Sequence, residues 1–248
     1  VFYNVENLFD PWDDSLHNDE AFLPGNIRGW NYGRYRDKLD RVYQVLAGLG
    51  GWSPPEIVGL AEVENKQCVR HLIEWTPLDK FGYRIIQEAS PDFRGIEVGM
   101  IYQPDRFRPI RYEAIPVDFP FSNSTTRDIL YVYGKTQDSA FLHLFFAHWP
   151  SKYGGEVATI EKRNFVADLT RKKVDSILKL DSLANIIIMG DLNDEPESES
   201  VRKHLSAGEA KDSALLVNLM AGRLPWEGTH KHQGHWGFLD QIIISRAL

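Results

Sequence analysis

Four stretches of the chain set proton-handling or cation-holding groups directly beside apolar runs. In Met189-Gly190-Asp191-Leu192-Asn193-Asp194-Glu195-Pro196, a carboxylate and an amide follow a run of isoleucines with one residue between them. The Asp191 carboxylate can orient or deprotonate a water, and the Asn193 amide can donate to a developing phosphoryl oxyanion. The same residue types also suit a turn that caps a helix after Pro196. A calcium loop is excluded, because its alternating acids, central glycine and closing Glu are not in register here.

Leu60-Ala61-Glu62-Val63-Glu64-Asn65 places Glu62 at the end of an apolar run. A carboxylate there is costly unless it faces water, a partner or a cation, and Mg²⁺ takes one or two such groups while keeping waters for substrate. Phe146-Ala147-His148-Trp149-Pro150-Ser151-Lys152 ends a run with an imidazole that can donate to a phosphate oxygen or to a leaving group; a structural hydrogen bond is the simpler reading of a lone His. Trp236-Gly237-Phe238-Leu239-Asp240-Gln241 puts Asp240 just ahead of the last isoleucines.

The elements that must position these groups are mostly strands. Extended runs are predicted at 56–61, 98–102, 129–133, 141–146, 186–189 and 242–244. Two helices are predicted. One carries Tyr35, Leu39, Val42, Val45, Leu46 and Leu49 and stops at Gly50-Gly51; the other runs from about Glu156 to Leu180 with Val157, Ile160, Val166, Leu169, Ile177 and Leu178 as its stripe. Asn4, Glu62, His148, Asp191 with Asn193, and Asp240 all fall at strand ends, where rigid scaffolds place reactive groups.

Composition bounds the function. The 248 residues are 43% hydrophobic and 25% charged, enough for one large core, and no apolar run nears the roughly 20 residues that span a bilayer. The formal charge of −7 argues against a broad basic nucleic-acid surface. The single Cys68 rules out an internal disulfide and reads as a small buried residue. His230, His232 and His235 supply no thiolate and read as a solvated loop rather than a zinc site; Asp10 to Asp14 read likewise as a solvated loop. The chain opens at Val1-Phe2-Tyr3, which reads as the interior of a first strand. With no convincing linker, one domain over 1–248, cut short at both ends, is expected. Compartment is not legible, with export from a bacterial cell the only suggestion, and a monomer is expected.

Taken in order, Asn4, Glu62, Arg127, His148, Gly190-Asp191-Leu192-Asn193 and Asp240 resemble the endonuclease/exonuclease/phosphatase superfamily over nearly the whole chain. The Asn-Val-Glu-Asn, Glu-Val-Glu-Asn, His-Trp-Pro-Ser and Gly-Asp-Leu-Asn-Asp-Glu-Pro segments are most similar to bacterial members. The resemblance implies an α/β (α+β) four-layer sandwich, two packed and mainly antiparallel sheets flanked by helices. It also implies Mg²⁺ (or Mn²⁺) held by Asn4 and Glu62, with Asp191 orienting the water and Asn193 stabilising the transition state. His148 would contact the scissile phosphate or protonate the leaving group, Arg127 would contact phosphate, and Arg94, in Asp92-Phe93-Arg94-Gly95, is a second candidate for that contact. The family normally closes with Ser-Asp-His, whose His pairs with the counterpart of Asp240; the chain ends at Leu248 without it, which reads as a fragment. The implied partner is a phosphate ester, nucleic acid among the candidates, without membrane insertion. A nuclease-like phosphodiesterase leads. A phosphatase or phospholipase on a small or lipid phosphate, and a non-catalytic binding module, are the alternatives.

Overall fold

The computed structural model describes residues 1–14, 18–51, 53–152, 155–224 and 226–248. Thirteen strands and three α-helices are found among them. One sheet has four strands in the order β1 (Phe2–Leu8), β2 (Ile57–Val63), β4 (Glu97–Tyr102), β3 (Arg84–Gln87). The second has seven, in the order β5 (Phe107–Ile115), β6 (Ile129–Thr136), β7 (Phe141–His148), β8 (Ile186–Asp191), β13 (Asp240–Ser245), β10 (Leu216–Asn218), β9 (Ala207–Gly208). β11 (His230–His232) and β12 (His235–Gly237) form a separate hairpin. Pairings are antiparallel except β1 with β2, β7 with β8, and β9 with β10.

Period-two alternation sorts each strand between two cores. On β7, Leu144 and Phe146 point between the sheets, against Met100, Leu130, Val132 and Met189. Phe145 and Ala147 point the other way, into a cluster with Val166, Ala167, Val174 and Ile177 of α3 (Glu156–Leu180). Beyond the four-stranded sheet, Val58, Leu60 and Val63 pack against Leu39 and Leu46 of α1 (Tyr32–Leu49) and Val69 and Leu72 of α2 (Lys66–Glu74). The result is helix, sheet, sheet, helix, the expected four layers. Strands buried on both faces read as unbroken apolar runs, as 186–189 does.

The helices correct two readings. α2 was not expected, being nine residues long; Asn65 caps it by accepting from the Cys68 amide at 2.9 Å. On α3 the expected stripe holds at Val166, Leu169, Ile177 and Leu178 but not at its start, since Val157 is 86% exposed, and Arg163 and Thr170 are fully buried beside it. The buried face is built from Thr159, Arg163, Val166, Thr170, Val174 and Ile177, and its polar members hide the periodicity. Arg163 is tolerated there because its Nε bonds the Asp194 carboxylate at 2.7 Å. The 10–14 stretch is only half a solvated loop: Trp12 is exposed, but Asp10 is buried and its amide donates to Glu64 at 2.8 Å.

Gly190 is required by a close approach of two strands. It lies within the ladder opposite Ala147, and a Cβ on it would sit 2.3 Å from the Ala147 carbonyl oxygen. Gly190→Ala is therefore expected to push β8 from β7, costing about 1–3 kcal/mol as over-packing does and shifting Asp191. Denaturant midpoints with kcat check this; an unchanged midpoint and kcat would show that the close approach is not needed.

Candidate active site

Register brings the candidate groups together. His148 pairs with Asp191 across the parallel β7–β8 ladder, and Asp240 pairs with Asp191 across β8–β13. From the facing sheet, Asn4 pairs with Ala61, one residue before Glu62. Neither Asn4 nor Glu62 ends its strand. β1 loses regular register after Asn4, and β2 has an irregularity between Ala61 and Val63. Glu62 takes φ 61 and Asn193 φ 49, left-handed backbone that costs a non-glycine residue roughly 1–2 kcal/mol. Such strain persists where surrounding structure enforces it, and here it re-aims the two side chains.

The Asn4 amide nitrogen donates to Asp191 Oδ2 at 3.0 Å and lies 3.3 Å from Glu62 Oε1. His148 Nε2 faces the same two oxygens at 3.8 and 3.9 Å, beyond hydrogen-bond reach but close enough to share a ligand with them. Asp191 Oδ1 accepts the Asn193 backbone amide at 3.0 Å, and the Asn193 side-chain nitrogen donates to the Trp149 carbonyl at 3.0 Å. Asn4 Oδ1 accepts the Glu6 amide at 2.9 Å, so as a cation ligand this oxygen has one remaining lone-pair direction.

Electrostatics follow from burial. Burial pushes the Asp191 carboxyl up, the bonds from Asn193 and Asn4 offsetting it in part. Asp240 is pushed up to about 6, by burial first and then by the Asp191 charge, and its Oδ1 is buried without a partner. Burial, then the Arg127 and Arg94 charges, hold His148 well below the usual imidazole range, so it is neutral near pH 7 with Nδ1 unpartnered. Asn4, Glu6, Asp191, His230 and Asp240 line a cleft of about 270 Å³. A carboxyl raised by burial and by its acidic neighbours, with an orphaned oxygen, suits a divalent cation, and Glu62, Asp191, Asp240 and Asn4 Oδ1 supply the hard oxygens it prefers.

Arg127 sits behind this group. It is 6% exposed, its Nη1 pairs with Asp92 at 2.8 Å, and its Nη2 donates to the carbonyls of His148 at 3.1 Å and Trp149 at 3.0 Å. Arg94, by contrast, keeps a side chain 45% exposed. Arg127→Ala is expected to cost about 3–5 kcal/mol, because it strands the buried Asp92 charge, and to lower kcat by loosening His148. A thermal scan beside kinetics checks it; full stability in the variant would remove Arg127 from this role.

Residues the sequence did not single out complete the scaffold. Asp92 anchors Arg127, and Thr229 Oγ1 accepts the Asp240 amide at 3.0 Å. Asp194, 3% exposed, binds Arg163, Ser200 and Lys152 and fixes the loop after Asn193. Glu195 Oε2 accepts the Phe238 amide at 2.9 Å. Asp194 and Glu195 lie inside the Gly-Asp-Leu-Asn-Asp-Glu-Pro segment, so only their roles were missed. Away from the cleft, ligand atoms of Asp10, Glu64 and Cys68 lie within 4.8 Å of one another. Cys68 is buried in the apolar cluster of α1 and α2, as expected, and its Sγ also lies 3.5 Å from Glu64 Oε2. The three His of the hairpin are exposed, and His230 lines the cleft.

The profile of the Endonuclease/Exonuclease/phosphatase family matches residues 1–248. Among solved structures, the human Nocturnin catalytic domain is similar at 17% identity and TM-score 0.63, over 98% of this chain and 81% of that one. The mannosyl-6-phosphatase of Bacteroides thetaiotaomicron is similar at 16% identity and TM-score 0.64, over 99% and 84%. Truncated Caenorhabditis elegans TDP2 is similar at 17% identity and TM-score 0.58, over 86% and 78%. No curated protein matches the chain's sequence. Identities at this level speak for the fold, and no helix among the described residues is long and apolar enough to cross a membrane.

Proposed function

Since the chain belongs to the endonuclease/exonuclease/phosphatase family, whose members hydrolyse phosphoric esters, we propose that it is a divalent-metal-assisted hydrolase acting on phosphodiesters in a nuclease-like manner. The observation that carries this reading is the meeting of Asn4, Glu62, His148 and Asp191 from two sheets, with Asp191 3.0 Å from Asn4 and 3.8 Å from His148. Glu62 and Asn4, with Asp191 and Asp240 in the same group of acids, would hold Mg²⁺ or Mn²⁺, which would supply Lewis-acid stabilisation of the phosphoryl oxygens.

The chain's own groups do the rest. Asp191, upward-shifted and fixed by two hydrogen bonds, orients the attacking water and takes its proton. Neutral His148 presents one N–H to a phosphoryl oxygen through Nε2. That tautomer leaves Nδ1 a buried acceptor without a donor. Asn193 keeps one amide proton free of Trp149 and donates it to charge developing on phosphorus oxygens. Arg127 holds the carbonyls of His148 and Trp149 behind this arrangement, a positioning role, and exposed Arg94 is left to meet a phosphate of the substrate outside it. Asp240 stays ionised above about pH 6 and keeps the cleft negative.

A substrate panel with and without Mg²⁺ tests the assignment: single- and double-stranded DNA, RNA, bis-p-nitrophenyl phosphate, inositol phosphates and sphingomyelin. Diesters are expected to turn over fastest. Turnover confined to monoesters moves the assignment to a phosphatase, and hydrolysis of no ester at all overturns it in favour of a binding module.

A further inference from the structure

A second pocket, of about 470 Å³, lies beside the cleft. It is within the range of small-ligand sites, roughly 300–1,000 Å³. The chain runs from His148 and Trp149 straight into Pro150 and Ser151 of its wall, and Arg127, which also lines it, holds the carbonyls of His148 and Trp149. Its charge is opposite to the cleft's. Arg94, Arg127 and Lys162 line it against one carboxylate, Asp92, which is already paired with Arg127. The balance is therefore three positive to one negative in a chain whose net charge is −7.

Two donors in this wall have no acceptor. Thr126 is 4% exposed with Oγ1 unpartnered, and Arg127 is 6% exposed with Nε unpartnered. A buried donor left unsatisfied costs about 1–3 kcal/mol, more for a charged group. Native proteins retain few such groups without a use for them. An oxyanion with several acceptors would answer Thr126 and Arg127, and Arg94 and Lys162 would neutralise its charge. Lys162 Nζ already lies 5.8 Å from the Phe119 ring centroid, held at the rim.

We propose that this pocket binds a second phosphoryl group of the substrate, so that the enzyme selects phosphate compounds carrying another phosphate beside the scissile one. This rests on the hydrolase reading for the word substrate, but the site itself can be tested without turnover. Calorimetric binding of a nucleoside bisphosphate and of the matching monophosphate, with Mg²⁺ present and in the Asp191→Asn background so that neither is hydrolysed, gives a ratio of affinities. With the pocket unaltered the bisphosphate is expected to bind about tenfold or more tighter, the scale of one charge-assisted hydrogen bond. Lys162→Ala and Arg94→Ala should each bring that ratio down toward one, Lys162→Arg should preserve it, and Thr126→Val should lower it less. A purely structural effect would weaken both ligands alike and leave the ratio standing. A ratio near one with the pocket unaltered, or a ratio unmoved in both alanine variants, overturns the proposal. Failure of the wild-type chain to hydrolyse any ester with Mg²⁺ would remove the hydrolase reading while the affinity ratio still decides the subsite.

Discussion

Asp191→Asn is expected to lower kcat by about 10²-fold or more while KM changes little, the scale of a positioned base. The substitution keeps the shape of the side chain and removes its ability to take a proton from water. It also removes charge from a crowded acidic group: Asp240 is raised partly by the Asp191 charge, so the variant should relax its neighbour. Its thermal midpoint in EDTA should stay near the wild type's, because the relieved repulsion is offset by the loss of one of the two hydrogen bonds that Asp191 accepts. That pairing, a dead but stable chain, separates Asp191 from Arg127. Loss of Arg127 removes the hydrogen bonds to His148 and Trp149 and leaves Asp92 buried and unpaired, so stability and kcat should fall together. If Asp191→Asn and Arg127→Ala give the same profile, the division between chemistry and positioning is wrong.

EDTA is expected to abolish hydrolysis and Mg²⁺ or Mn²⁺ to restore it, since oxygen ligands alone suit a hard cation. The same cation should raise the thermal midpoint, with a pH dependence set by the carboxyl groups. A carboxyl whose native pKa is raised favours folding while protonated. That contribution is complete below the unfolded pKa and is lost as pH rises through the native value. Asp240 loses it between 3.8 and about 6. Glu97 and Glu64, raised chiefly by burial, lose it between 4.5 and about 7 and about 8 respectively. Buried His148 acts oppositely, destabilising the fold as pH falls through the ordinary imidazole range and it is driven to charge. A cation in the cleft compensates only Asp240 and its neighbours, and it competes there with protons. Its stabilisation should therefore be larger at about pH 8 than at about pH 5. Equal gains at both, or undiminished turnover after thorough metal stripping, would refute the assignment.

Much of this was legible in the chain itself. The apolar runs at 129–133, 141–146 and 186–189 marked the central strands, because both faces of the sheet are largely buried and only His143 interrupts them. Tyr35, Leu39, Val42 and Leu46 fixed α1, and Gly50-Gly51 its end. The groups capable of chemistry were legible from their place beside those runs, and the order of Asn4, Glu62, His148, Asp191 and Asp240 carried the family. Tertiary structure alone decided the rest, because each remaining feature depends on groups far apart in sequence. Arg163 becomes a core residue only where Asp194, 31 positions away, neutralises it. Arg127 turns inward only because Asp92 and two strand-end carbonyls meet it. Asp240 is pushed up by burial and then by an Asp191 that a ladder, not the chain, sets beside it. Local pattern reports which face of an element is apolar; charge and proton affinity answer to neighbours, and folding chooses the neighbours.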